Sequence, residues 1–255
     1  MSPIVVGLVV FVSTFGGALA GNRLRRMLPE HHLDDASKDT VKLGIGLVAT
    51  MTALVLGLVT ASAKSSFDAI DTAVKHTAMD LLTLDRVLAR YGPETAQIRG
   101  GLQQAVAKRV DMIWPSDSSR GADLDPLDSA TSSQVERLAD AIRALSPADD
   151  AHRSLQSRAL GIAEGLLHDR WLVSAGGGTS VPLPFLVVLL FWLTITFASF
   201  GLFAPRNSTV IAVLLVCALS VASAVFLILE MDGPFDGLLK VSADPLRYAV
   251  TSLNR

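Results

Sequence analysis

The sequence predicts an all-α integral membrane protein: four transmembrane helices with a helical bundle inserted between spans two and three. Three observations predict it. Apolar runs at 4–20, 43–63, 181–203 and 209–229 reach the length a helix needs to cross the roughly 30 Å hydrocarbon core. The second run continues, with no proline or helix break, into a heptad pattern suited to water, so this span is continuous with a long soluble helix. Half of the 255 residues are hydrophobic, 18% are charged, and the mean hydropathy is +0.45, which suits a membrane protein better than a soluble one.

The same composition excludes several classes. A formal charge of −2 argues against a nucleic-acid partner. The single cysteine, Cys217, lies inside an apolar run, so there is no disulfide frame, thiol pair or zinc spacing.

Along the chain, Arg23, Arg25 and Arg26 follow the first apolar run directly. Ala18-Leu19-Ala20 resembles a signal-peptide cleavage site, but the amino end lacks Lys and Arg and the basic cluster lies on the opposite flank; a retained span is expected. Gly17 and Gly21 give it a small-xxx-small face for close helix packing. In the next connector, Glu30, His31, His32, Asp34 and Asp35 bring together metal-ligand types. Adjacent histidines diverge on a helix and no i, i+4 histidine pair exists, so the expectation is a polar interfacial turn with no metal.

The second span carries Gly46, Ala49, Ala53, Gly57 and Ala61 mostly four apart, with Thr50, Thr60 and Lys64 on or beside that face. Two readings stay open. Small residues and hydroxyls serve a packing seam between helices in lipid. Alternatively Gly46, Thr50, Ala53, Gly57, Thr60, Ala61 and Lys64 line a narrow, mildly polar pore, with a ring of lysines attracting anions at its mouth.

Beyond Lys64 the residues Phe67, Ile70, Val74, Thr77, Leu81, Leu84, Leu88 and Tyr91 alternate three and four apart, the seam of a packed helix. No proline occurs between Pro29 and Pro93, so one helix of about 75 Å is expected at about 1.5 Å per residue. Gly92-Pro93 ends it, and Ile98, Leu102, Val106, Val110 and Ile113 line a returning helix. Residues 115–131 have the composition of an exposed loop. Ser133 with Glu136 reads as a capping box ahead of Val135, Leu138, Ile142 and Leu145. Ser146-Pro147 opens a last bundle helix with Leu155, Ala159, Ile162 and Leu166 on one side and Trp171 near its end.

Gly176-Gly177-Gly178 provides a hinge before the third span, and Pro205-Arg206-Asn207-Ser208 turns the chain into the fourth. Glu230 ends that span on the same membrane side as Lys64. A Lys64–Glu230 pair there either lowers the cost of two charges near lipid or takes part in gating or selectivity. Residues 242–254, with Asp244-Pro245 at their start, read as a short amphipathic helix. The domain expectation is membrane spans at 1–64, an extramembrane bundle at 65–175, spans three and four at 176–231, and an amphipathic segment at 232–255.

Orientation rests on charge. Arg23, Arg25, Arg26, Lys38, Lys42 and Arg206 cluster on the short connectors, which the positive-inside rule makes cytoplasmic, with the bundle outside.

The strings Leu28-Pro29-Glu30-His31-His32-Leu33, Ala61-Ser62-Ala63-Lys64-Ser65-Ser66-Phe67, Tyr91-Gly92-Pro93-Glu94, Ser199-Phe200-Gly201-Leu202-Phe203 and Glu230-Met231-Asp232 resemble those of the bacterial four-span group of bestrophin-like membrane proteins, over nearly the whole chain. Bestrophins are oligomeric anion channels with four spans per subunit, a helical cytosolic part between spans two and three, and a pore lined by span two. The resemblance therefore implies that Lys64 and the small-residue face lie near a pore. It departs in two respects: the bulky apolar neck of bestrophins has no counterpart between Gly46 and Ala61, and the bestrophin arrangement puts the insert in the cytosol, opposite to the charge count.

The functional expectation is a homo-oligomeric, anion-conducting ion channel in the bacterial inner membrane, with its pore lined by the second span, the lipid bilayer and ions as partners and no cofactor. The alternative is a non-conducting sensor or scaffold whose bundle binds a ligand or protein. An enzyme is not expected: no Ser-His-Asp spacing or phosphate-cradling glycine loop is present, and His76, His152 and His168 fall on soluble helix faces.

Overall fold

The computed structural model describes residues 2–27, 35–114, 137–176, 182–205, 207–235 and 237–253, without the side chains of 35–38 and 167–176. The connector with His31 and His32, the 115–131 loop, the Ser133–Glu136 capping box and the Trp171 side chain lie outside these residues. Every regular element among the described residues is a helix: α1 (Pro3–Leu24), α2 (Asp35–Tyr91), α3 (Ala96–Ile113), α4 (137–143), α5 (Asp150–Gly176), α6 (Leu183–Phe203), α7 (Ser208–Asp232) and α8 (Asp244–Ser252). Four of them, α1, α2, α6 and α7, are long and apolar enough to cross a membrane. The chain divides into two compact units, Met1–Ser66 with Thr179–Gly233, and Phe67–Gly178 with Pro234–Arg255.

The membrane unit is held by small residues. A Cβ built on Gly21 would collide with the Ala198 carbonyl of α6, and one on Gly201 would collide with the Ala18 carbonyl of α1. At Gly17 the nearest neighbour, the Thr194 carbonyl, would stand 3.0 Å away. The expected small-residue face of α1 is thus a backbone-to-backbone contact with α6, which side chains on either helix would prop open. Below it, Val6, Val10, Leu189, Leu193, Ala222 and Val225 form one apolar cluster of α1, α6 and α7.

The bundle unit forms around the heptad seam. Ile70, Val74, Leu81, Leu84, Leu88 and Tyr91 are buried, and Phe67 packs partly against the same core. Thr77 is half-buried, its hydroxyl donating to the Ala73 carbonyl at 2.9 Å. The end of α2 is sealed by two devices. Gly92 turns at φ 140°, a region open to glycine, and the buried Thr95 hydroxyl bonds the Leu88 and Gly92 carbonyls at 2.6 and 2.8 Å. Leu102 and Val110 of α3 and Ala159 and Leu166 of α5 complete the core as their spacing predicts, with Ala163 buried beside them and Leu155 and Ile162 only partly buried.

Helix α5 begins at Asp150 rather than at Ser146-Pro147. Asp149 accepts from the His152 N–H at 2.8 Å, and this cap fixes the start three residues after the proline. The carboxyl-terminal segment belongs to the bundle. The Trp114 indole donates to the Val241 carbonyl at 2.9 Å and Gln103 to the Val250 carbonyl at 3.0 Å, so α8 is hydrogen-bonded to α3.

One charge pair is inside the bundle. Asp85, 2% exposed, receives two bonds from Arg99, at 2.7 Å from Nε and 3.0 Å from Nη2. The fork ties α2 to α3 across their turn.

Two outcomes are expected. Gly21→Ala and Gly201→Ala each lower stability by about 1–3 kcal/mol through overpacking, read as a lower melting temperature in detergent, whereas Gly16→Ala, with open space around its Cβ, does not. Arg99→Ala costs about 3 kcal/mol, because it strips a buried carboxylate of its forked donor; Arg99→Lys recovers only part of this.

Candidate functional site

The candidate site is the face of α2 between Gly46 and Lys64, and the helix runs unbroken through Lys64. Gly46, Thr50, Ala53, Gly57, Thr60, Ala61 and Lys64 are all exposed. The opposite face meets the rest of the subunit: Thr52 is 5% exposed and Ala63 fully buried, and Val55, Leu56 and Val59 join the apolar clusters. Of the four spans, α2 has the least cover from its own chain, with 6% of its most apolar window buried against 22–33% in the others.

The glycines decide between the two readings within one subunit. Gly17 and Gly21 of α1 and Gly201 of α6 are filled by neighbouring backbone, while a Cβ at Gly46 or Gly57 would meet nothing within 4 Å. The α2 stripe is therefore not a packing seam inside the subunit. Thr50 and Thr60 donate to the Gly46 and Leu56 carbonyls at 2.8 and 2.7 Å. Their protons stay on the backbone and their oxygen lone pairs are presented outward. A second exposed strip, Leu43, Leu47, Leu54 and Leu58, adjoins the small residues.

Lys64 is exposed and Glu230, near the end of α7, is 4% exposed. Ala63 and Ile228 share one apolar cluster with Met231. The turns carrying the two charges are thus neighbours.

Two features escaped the sequence reading. One is a lateral cavity of about 440 Å³ between α2, α6 and α7, with Lys42, Ala49, Phe200, Phe203 and Leu214 in its wall. Its residues belong to three separate runs, each of which is ordinary span composition. The other is at the start of α5, where His152 Nδ1 lies 2.6 Å from Asp149 and its ring meets Tyr91 edge-on, centroids 5.1 Å apart. Only its place beside the α5 cap marks this histidine out from the others.

The Bestrophin-like domain matches residues 12–246, nearly the whole chain. The chain belongs to the bestrophin-like family. Its fold is similar to crystal structures of two point mutants of a bacterial bestrophin homologue from Klebsiella pneumoniae. One aligns with a TM-score of 0.66 at 14% identity over 99% of this chain and 97% of its own. The other aligns with a TM-score of 0.65 at 13% identity over 99% of both. No match was found among curated proteins. For this bestrophin-like chain, then, fold and family agree.

The His152 contact titrates. The hydrogen bond to Asp149, then charge and the Tyr91 carbonyl and Glu94, raise the imidazole above its ordinary range despite some desolvation. Hydrogen bonds from the His152 backbone and ring lower Asp149. The raised histidine contributes stability that is full below its unfolded value and lost as pH rises through the folded one; the lowered aspartate contributes above its unfolded value and loses it in acid. The melting advantage of wild type over His152→Gln is accordingly present below the ordinary histidine range, at about pH 5.5, and declines as the pH is raised through the elevated folded value, measured by thermal unfolding in detergent.

Proposed function

We propose that this bestrophin-like protein is the subunit of an oligomeric ion channel, anion-conducting, in the bacterial inner membrane. The α2 helices surround its axis and their small-residue face walls the water path. One observation carries this reading: all seven candidate residues are exposed in the subunit, and a Cβ on either glycine of the stripe would meet nothing within 4 Å. A helix face of Gly, Ala and Thr gains little from lipid, but lets water and ions approach backbone carbonyls and hydroxyls. The adjoining leucine strip would then pack against the neighbouring subunit.

Lys64 is proposed to stand at the mouth of the path, where a ring of cations concentrates anions, with Glu230 as its partner on α7. The orientation proposed from the connector arginines puts the short connectors in the cytoplasm and the bundle outside.

A second reading, a non-conducting sensor or scaffold, is favoured by the bundle core, the largest apolar cluster of the described residues. Its centre between α2 helices would be dry.

Planar-bilayer recordings of the purified protein separate the two. The channel reading expects currents with anion preference, and a roughly tenfold fall in the anion-to-cation permeability ratio on Lys64→Glu, equivalent to about 1.4 kcal/mol. In a Cys217→Ser background, Gly57→Cys is expected to react with a membrane-impermeant thiol reagent and Leu58→Cys to resist it. Absence of current at every potential, with Gly57→Cys unreactive, defeats the channel.

A further inference from the structure

We propose that the lateral cavity binds one phospholipid with an anionic headgroup. Lys42 and Arg25 would hold its phosphate, and an acyl chain would lie along Ala49, Phe200 and Leu214.

The cavity arises because α2 is covered by its own chain only in its second half. Thr52 and Ala63 are buried, whereas residues 41–44 are all exposed, so the first turns of the span stand clear of α6 and α7. Gly46 and Ala49 widen the gap, since neither brings a bulky side chain into it. The resulting volume of about 440 Å³ falls in the range of sites for small ligands, roughly 300–1,000 Å³. Its wall is apolar except for Lys42 and Ser199, and it lies along three helices of membrane-spanning character.

The two ends differ in charge. Lys42 lines the cavity, and the half-buried Arg25 donates through Nη1 to the carbonyl of Ala204, another lining residue. Lys42 thus reaches the cavity directly, and Arg25 is bonded to a residue of its wall. Among the described residues that bond engages one of the five guanidinium N–H donors, and a guanidinium fork is suited to phosphate. Asp39 is 3.2 Å from Lys42, but both side chains are largely exposed, at 74% and 61%, so this pair is weak and open to competition.

A soluble anion would satisfy the cations and leave the apolar length uncovered. A lipid satisfies both, with charge complementarity at the headgroup and hydrocarbon against Phe200 and Leu214. The proposal does not depend on conduction.

The test uses the full-length protein in nanodiscs of phosphatidylglycerol and phosphatidylcholine, followed by extraction into mild detergent and native mass spectrometry. Wild type is expected to retain about one phosphatidylglycerol per subunit and to release phosphatidylcholine. Lys42→Gln, an exposed and fold-neutral change, lowers that retention about tenfold. Asp39→Asn raises it, and Ala49→Phe abolishes it by filling the cavity while leaving the charges in place. Equal retention by wild type, Lys42→Gln and Ala49→Phe overturns the proposal, as does indifference to headgroup charge. Disulfide formation between subunits through Ala49→Cys in a Cys217→Ser background also overturns it, by showing that a second copy of the chain fills the cavity.

Discussion

Helices in hydrocarbon gain nothing by hiding one leucine from another, so they associate where backbone can touch backbone. In the membrane unit that condition is met at Gly21 against Ala198 and Gly201 against Ala18, where α1 and α6 leave no room for a methyl group. The apolar clusters that join α7 to this pair depend on the separation these contacts set. Thr14 adds no strain to the seam, because its buried hydroxyl is satisfied by the Val10 carbonyl of its own helix at 2.7 Å.

Helix α2 uses the same residue types in the opposite way. Its glycines lie on the uncovered side, and its contact with the subunit is made by Thr52, Val55, Leu56, Val59 and Ala63 on the other. Of the four candidate spans it is the one least covered by its own chain. Further along, the same helix carries a water-type core, held by leucine burial and by the Asp85–Arg99 fork. One helix thus carries two patterns: an exposed small-residue face in its apolar part, and a buried apolar seam in its bundle part.

Much of this was legible in the residues. The heptad from Phe67 to Tyr91 identified the buried seam of α2 nearly position by position, because a helix that packs in water must repeat its apolar side chains every three or four residues. The four spans were legible for a similar reason, since hydrocarbon demands length and apolarity from each segment separately. The start of α5 was misread: Pro147 is a good first-turn residue, but the Asp149 carboxylate reached the His152 amide and fixed the boundary later.

The sequence by itself determined the class, the four candidate spans and the unbroken α2, because each follows from local composition and spacing, and short residue strings carried the resemblance to the family. Only the tertiary structure decided which small-residue stripe is filled and which stands open, for Gly21 and Gly57 look alike in the chain and differ in what approaches them. It also decided that Lys42, Phe200 and Leu214 line one cavity, with Arg25 bonded to Ala204 of its wall. Such meetings depend on where three distant helices diverge, and no local pattern carries that information.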